Sequence, residues 1–235
     1  MSLAGSLGLP GWLAEPIWQR QWKKAAAEAQ GTAMQGYYAM PQLTPDTPLD
    51  DVPIVALDFE SDGLAEDAAL LEAGWVTLSS GGISLSGARK RRIHVTKGLE
   101  AKAVTIHQIT DSAAAEGAPE VEVLAELLEA LSGAVVLAHF AQIEAKFLNT
   151  TCQRQFGVPF LGRFICTRHL EEHWFPKVRA ADGLRLGKLR AQYGLPWYHA
   201  HDGLTDAIAC AELFLAQLAR KDAPSLTLGD VLCPL

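Results

Sequence analysis

Ile54-Val55-Ala56-Leu57-Asp58-Phe59-Glu60-Ser61-Asp62-Gly63-Leu64 is an apolar run that ends in two carboxylates one residue apart. The run reads as a buried β-strand, and a buried charge is costly unless something pairs with it. Side chains alternate across a strand, so Ile54, Ala56, Asp58 and Glu60 share one face. Carboxylates that close repel unless a cation neutralises them, and a hard divalent ion, Mg2+ or Mn2+, is the economical answer. The ordinary alternative is a pair of acids reaching water at a strand end. A Walker B strand also ends in Asp, but the chain has no Gly-x4-Gly-Lys-Ser/Thr loop. The nearest candidate, Gly183 to Leu189, has the wrong spacing and lacks the hydroxyl.

Outward from this strand the pattern divides. Residues 1–50 read as an arm: a helix over 17–30, tryptophans at Trp12, Trp18 and Trp22, and an extended linker Pro41 to Pro48. The tryptophans either pack on the main domain, the favoured reading, or dock a partner or a membrane surface. From residue 51 to 222 the chain reads as one domain, followed by a tail over 223–235. Strands are expected over 53–60, 72–79, 90–96, 134–139 and 164–166, and helices over 119–132, 141–156, 184–193 and 203–220. Three strands followed by alternating helix and strand imply an α/β fold, a mixed five-stranded sheet with helices packed on it.

Two further acids could complete a metal site. Asp206 lies near the start of the last long helix, where a carboxylate is favoured by the dipole, with Asp202 as N-cap and His201 just ahead of it. It falls off the expected buried stripe of Leu204, Ala207, Ile208, Ala211, Leu215 and Leu218. Glu144 sits in the first turns of the helix after the 134–139 strand. Each has a plain reading as an ordinary helix acid.

Taken together these segments resemble the DEDDh family of 3′–5′ exonucleases, which includes the proofreading subunit of bacterial replicative polymerases and has a ribonuclease H-like fold. The family's Asp-x-Glu-Thr-Thr-Gly-Leu strand end matches Asp58 to Leu64, and its His-x4-Asp-Ala matches His201 to Ala207. Val104 to Thr110, containing His107, is similar to its Ile-His-Gly-Ile-Thr turn. Leu186 to Leu189 with Tyr193-Gly194-Leu195 is similar to a family helix end. The second motif departs from the pattern: Glu144 stands where the family has Asp, and Phe140 where Asn is usual. No Asp occurs between Asp111 and Asp182, so no shift of register restores it. Glutamate keeps the charge but reaches about 1.5 Å further.

The resemblance implies two Mg2+ or Mn2+ ions per active site, held by Asp58, Glu60, Glu144 and Asp206, with His201 as general base. It implies Ser61, Gly63, Leu64, His107 and Phe140 as substrate contacts. The implied reaction is removal of nucleoside 5′-monophosphates from 3′ ends of single-stranded DNA or short oligonucleotides. A 3′ exoribonuclease of the same fold, or a non-catalytic nucleic-acid-binding module derived from it, is the alternative. The arm could serve a protein partner or self-association.

The bulk properties agree. The chain has 235 residues, 49% hydrophobic, net charge −7 and pI about 5.5, unlike a non-specific nucleic-acid coat. Basic spots at Arg89 to Arg92, Arg185, Lys188 and Arg190 could meet phosphates. No run approaches the ~18–20 apolar residues of a membrane span, and no secretory signal is read at the N-terminus. Cys152, Cys166, Cys210 and Cys233 form no zinc-like spacing, which reads as reduced thiols in a cytoplasmic protein. A rival metal reading is His169-Leu-Glu-Glu172-His173, the pattern of inverted zinc peptidases, which lacks a convincing third ligand beyond Glu212.

Overall fold

The computed structural model describes residues 11–65, 68–79, 82–95, 115–176, 181–223 and 225–235. Strand β1 (Ile54–Ser61) runs through the middle of a five-stranded sheet. On one side it pairs antiparallel with β2 (Leu70–Ser79), which pairs antiparallel with β3 (Gly82–Arg92) at the edge. On the other it pairs parallel with β4 (Val135–Ala138), which pairs parallel with β5 (Phe164–Cys166). A central strand covered on both faces needs apolar residues at almost every position, which is why β1 reads as a continuous run.

The two faces carry different layers. Val55, Leu57 and Phe59 point into a core with α1 (Gly11–Glu28), α2 (Met34–Ala39), α3 (Glu120–Ala130) and α4 (Gln142–Phe156). Ile54 and Ala56 point into a second core with α5 (Thr167–Trp174), α7 (Gly203–Lys221) and α8 (Leu228–Val231). Helix α6 (Leu186–Gln192) packs against α7 through Leu189 and Leu213. The result is the expected α/β fold, a mixed sheet between helices.

The arm's aromatics turn inward. Trp22, Met34, Tyr37 and Tyr38 are buried in the first core, and Trp18 packs against it. Tyr37 donates a hydrogen bond to the Leu161 carbonyl at 2.8 Å, and the Leu161 N–H donates to the Tyr38 hydroxyl at 3.1 Å. Arg163 pairs with Glu15 at 2.8 Å and lies over the Trp18 ring. At the other end Cys233 N–H donates to the Phe164 carbonyl at 2.9 Å, so the chain's last residues border β5. No described helix is long and apolar enough to cross a membrane.

Three expectations shift. The third strand, expected over 90–96, spans Gly82–Arg92: it is an exposed edge strand, so its outward side carries no apolar alternation to read. Helix α2 has no counterpart in the sequence reading, because its six residues are too few to show a period. The buried side of α7 is wider than the stripe and centred elsewhere. It includes Asp206, Ala207, Cys210, Ala211, Leu213, Phe214 and Gln217, while Leu215 is exposed. The helix is squeezed between the sheet and α5 and α6, so Asp206 lies on a buried face rather than off it.

Candidate active site

Strand β1 outruns its parallel neighbour. Its pairing with β4 ends at Ala56 opposite Leu137, and the remaining residues through Ser61 keep only β2 as partner. Asp58 and Glu60 therefore project at the carboxyl end of the parallel strands, where open α/β sheets bind ligands. A cleft of about 1070 Å³ opens there, lined by residues of β1, α4, α6 and the segment ahead of α7.

Helix α7 delivers Asp206 to this spot through a close approach of two glycines. Gly74 of β2 pairs with Asp58, and a Cβ built on Gly74 would lie 2.0 Å from the backbone of Gly203 and Leu204. Only a missing side chain lets the helix start touch the sheet. Asp202 caps the helix, accepting from Thr205 N–H at 3.1 Å. Glu72, buried beside Glu60 on the neighbouring strand, accepts from Gly203 N–H at 3.0 Å. Lys90 and Arg92 approach the other Glu72 oxygen at 3.6 and 3.7 Å, and Lys90 also pairs with Asp202. Glu72 was not expected from the sequence: its signal is one charge inside an apolar strand, and the Gly203 N–H that meets it is remote in the chain.

The result is a convergence of acids. Asp58, Glu60 and Asp206 each offer a carboxylate oxygen, and these oxygens lie within 4.8 Å of one another. Among the described residues no such grouping forms at His169, Glu172 and His173; Glu172 instead pairs with Arg168 at 3.3 Å. Glu144, in the first turn of α4, is buried, and its Oε2 has no hydrogen-bond partner. Burial, then the charges of Glu144, Asp206, Glu60 and Glu72, pushes the Asp58 carboxyl well above the carboxylate range. Burial, then Cys166 and Glu60, raises Glu144. Burial also raises Asp206, against hydrogen bonds from the Tyr198 hydroxyl and from the N–H groups of Asp202 and His201. Crowded carboxylates with one orphaned oxygen are what a hard cation would relieve. The donor set fits divalent ions.

The other expected residues are placed as follows. His201 is exposed on the cleft wall at φ +66°, and its N–H donates to Asp206 Oδ2 at 2.6 Å. Ser61, Gly63 and Leu64 line the cleft; Ser61 Oγ donates to the Gly63 carbonyl at 2.8 Å, and Lys146 Nζ donates to that of Leu64 at 2.7 Å. Phe140 lines it too, at φ +74°, a conformation Asn tolerates better than Phe, with the Arg168 guanidinium 4.2 Å from its ring centre. His107 and its turn lie outside the described residues. Of the basic spots, Arg185, Lys188 and Arg190 line the cleft, whereas Arg89 and Arg91 pair with Glu126 at 3.5 and 2.8 Å. All four cysteines are free and buried.

Comparison with known proteins bears on this arrangement. The RNase_T model, described as an exonuclease, matches residues 55–214. The chain belongs to this exonuclease family. It is 28% identical over 174 residues to the DNA polymerase III subunit epsilon of Treponema pallidum, covering 72% of this chain and 78% of that protein. Its fold is similar to the nuclease domain of 3′hExo, a DEDDh family member bound to rAMP, with TM-score 0.62 and 18% identity over 77% of this chain and 96% of that one. It is also similar to E. coli exonuclease I in complex with a dA16 oligonucleotide, with TM-score 0.62 and 16% identity over 74% of this chain and 42% of that one. The protein is thus a DnaQ-like DEDDh 3′–5′ exonuclease of ribonuclease H-like fold, a family that works with divalent metal ions. Its peculiarity is Glu144 in the second motif.

Proposed function

We propose that the cleft removes single nucleotides from 3′ ends of single-stranded DNA or short oligonucleotides, releasing nucleoside 5′-monophosphates. The observation that carries this reading is the meeting of Asp58, Glu60 and Asp206 within 4.8 Å, with buried Glu144 beside them. These four carboxylates would hold two ions, Mg2+ or Mn2+, which when bound supply an activated water and neutralise charge on the leaving 3′ oxygen. The chain's own groups do the rest. One imidazole nitrogen of His201 takes the proton of the attacking water as the P–O3′ bond breaks. The bond from the His201 backbone N–H to Asp206 ties this residue to the acids' side of the cleft, which supports that role. Ser61, Gly63 and Leu64 bear on the terminal nucleotide, their loop tied to α4 by Lys146, and Phe140 lies against it too. A partner protein or second copy would meet the arm through its exposed Arg20, Lys23 and Lys24, because Trp22 faces the core.

One gel series tests this. Single-stranded DNA and RNA labelled at either end are incubated with Mg2+, Mn2+ or chelator, alongside Asp58→Asn and His201→Ala. The expected outcome is stepwise shortening from the 3′ end, strongest on DNA and lost with chelator and with Asp58→Asn. His201→Ala should lower turnover far more than the metal concentration needed for half activity. Wild-type turnover in His201→Ala would reject its role, and preferential cleavage of RNA would reject the DNA assignment.

A further inference from the structure

Trp197 is 86% exposed, the most solvent-open large hydrophobic residue among those described. It is nevertheless held in place. Buried Arg190 donates Nη2 to the Pro196 carbonyl at 3.1 Å and Nη1 to the Ala209 carbonyl at 2.8 Å. Its guanidinium also lies 4.9 Å from the Tyr198 ring centre, and Tyr198 bonds to Asp206. Pro196 is thus anchored to α6 through Arg190, itself bonded to α7, and Tyr198 to α7 through Asp206, while the indole between them faces water. Loose surface aromatics carry no message, but one fixed by its neighbours on the wall of an active-site cleft does.

The surroundings say what it would meet. Trp197 lines the same cleft as the carboxylates, in company with Arg185 and Lys188. An otherwise acidic protein gathers basic side chains beside an open indole there, and that pairing suits stacked bases and the phosphates between them. A peptide or lipid partner would not account for sharing the cleft with the metal-binding acids.

We propose that Trp197 is a stacking platform for a base upstream of the terminal nucleotide, with Arg185 and Lys188 meeting the adjoining phosphates. This rests on the single-strand reading given above. It makes the cleft a subsite for several unpaired nucleotides and disfavours a paired end, whose base faces are already covered.

The test measures binding and cleavage separately. Binding of a fluorescent single-stranded oligo(dT) is followed by anisotropy in the Asp58→Asn background, with and without Trp197→Ala. Stacking on an aromatic side chain predicts a loss of affinity of roughly 5- to 100-fold. Trp197→Phe should recover most of it, and a combined Arg185→Ala, Lys188→Ala variant should bind with a shallower salt dependence. In the cleaving enzyme, Trp197→Ala should raise KM for the oligomer by a similar factor while kcat changes little. Unchanged affinity and KM in Trp197→Ala, or no binding of oligo(dT) by the Asp58→Asn protein, overturns the platform. Binding that depends on Trp197 without cleavage by the wild-type enzyme supports the platform and sinks the catalytic reading instead.

Discussion

Two buried glutamates flank the end of β1, and the chain treats them differently. On the β2 side Glu72 receives an N–H from Gly203 and the approach of Lys90 and Arg92. On the β4 side Glu144 is equally enclosed, yet its Oε2 meets no donor and its nearest ionisable neighbours include Cys166 and Glu60. A protein has ample means to satisfy a buried carboxylate, and here it uses them on one side of β1 and withholds them from one oxygen on the other. The satisfied acid holds the helix that carries Asp206. The one with an orphaned oxygen is the one that the proposed function gives to a metal ion.

The sharpest way to break this division is at the contact the satisfied side depends on. Gly74→Ala puts a methyl 2.0 Å from the Gly203 backbone, and neither β2 nor the start of α7 is a flexible side chain that could swing away. The helix start must lift. Stability should fall by about 3 kcal/mol in urea titrations. Activity should fall with it, because Asp206 would leave its place over Asp58. Undiminished nuclease activity in Gly74→Ala would show that the docking of α7 does not position the site.

Substitution of the two glutamates sharpens the contrast through opposite signs. Glu72→Ala strands the buried Gly203 N–H and takes away the partner of Arg92, while Lys90 keeps Asp202, and should destabilise by about 2 kcal/mol. Glu144→Gln puts a neutral group of the same shape where folding must otherwise protonate a carboxylate, so in chelator at neutral pH it should stabilise by about 1 kcal/mol while nuclease activity drops. Differential scanning calorimetry of both in chelator reads the signs directly. Two shifts of the same sign would mean that the two carboxylates are not in different circumstances.

Much of this was legible in the chain and some was not, for physical reasons. Asp58 and Glu60 announced themselves because a charge at the end of an apolar run is an energetic anomaly. Glu72 is the same anomaly, set one strand away within Leu70 to Leu78, but what explains it, Gly203, is 131 residues distant. Gly74 likewise looks like any strand glycine until the helix backbone that lies on it is known. The stripe on α7 was misplaced because periodicity locates one contact face, and this helix has the sheet on one side and α5 and α6 on others. Trp197 gave no signal at all: an exposed aromatic and a buried one are the same letter.

The smallest effect concerns His139, at the turn between β4 and α4. Its Nε2 lies 2.9 Å from the Leu184 carbonyl, which can only accept, so Nε2 carries the proton and Nδ1 accepts from the Thr167 hydroxyl at 2.8 Å. Burial lowers its pKa from the ordinary 6.5 to about 4. The unfolded chain therefore takes up a proton between those values that the folded chain refuses, and stability contributed by the neutral ring is lost as pH falls through this window. Glu144, raised by burial, works in the opposite sense: its protonated form suits the fold, so its contribution is lost as pH rises. From pH 7 to 5.5 the histidine alone should remove about 1 kcal/mol. Asp58 and Asp206, also raised by burial, act with Glu144, so the test is the change of slope relative to wild type, in chelator, when each of the two is replaced in turn. His139→Gln should make stability rise on acidification relative to wild type, and Glu144→Gln should make it fall. Parallel slopes for all three proteins in urea titrations across that range would show that neither group titrates as its surroundings require.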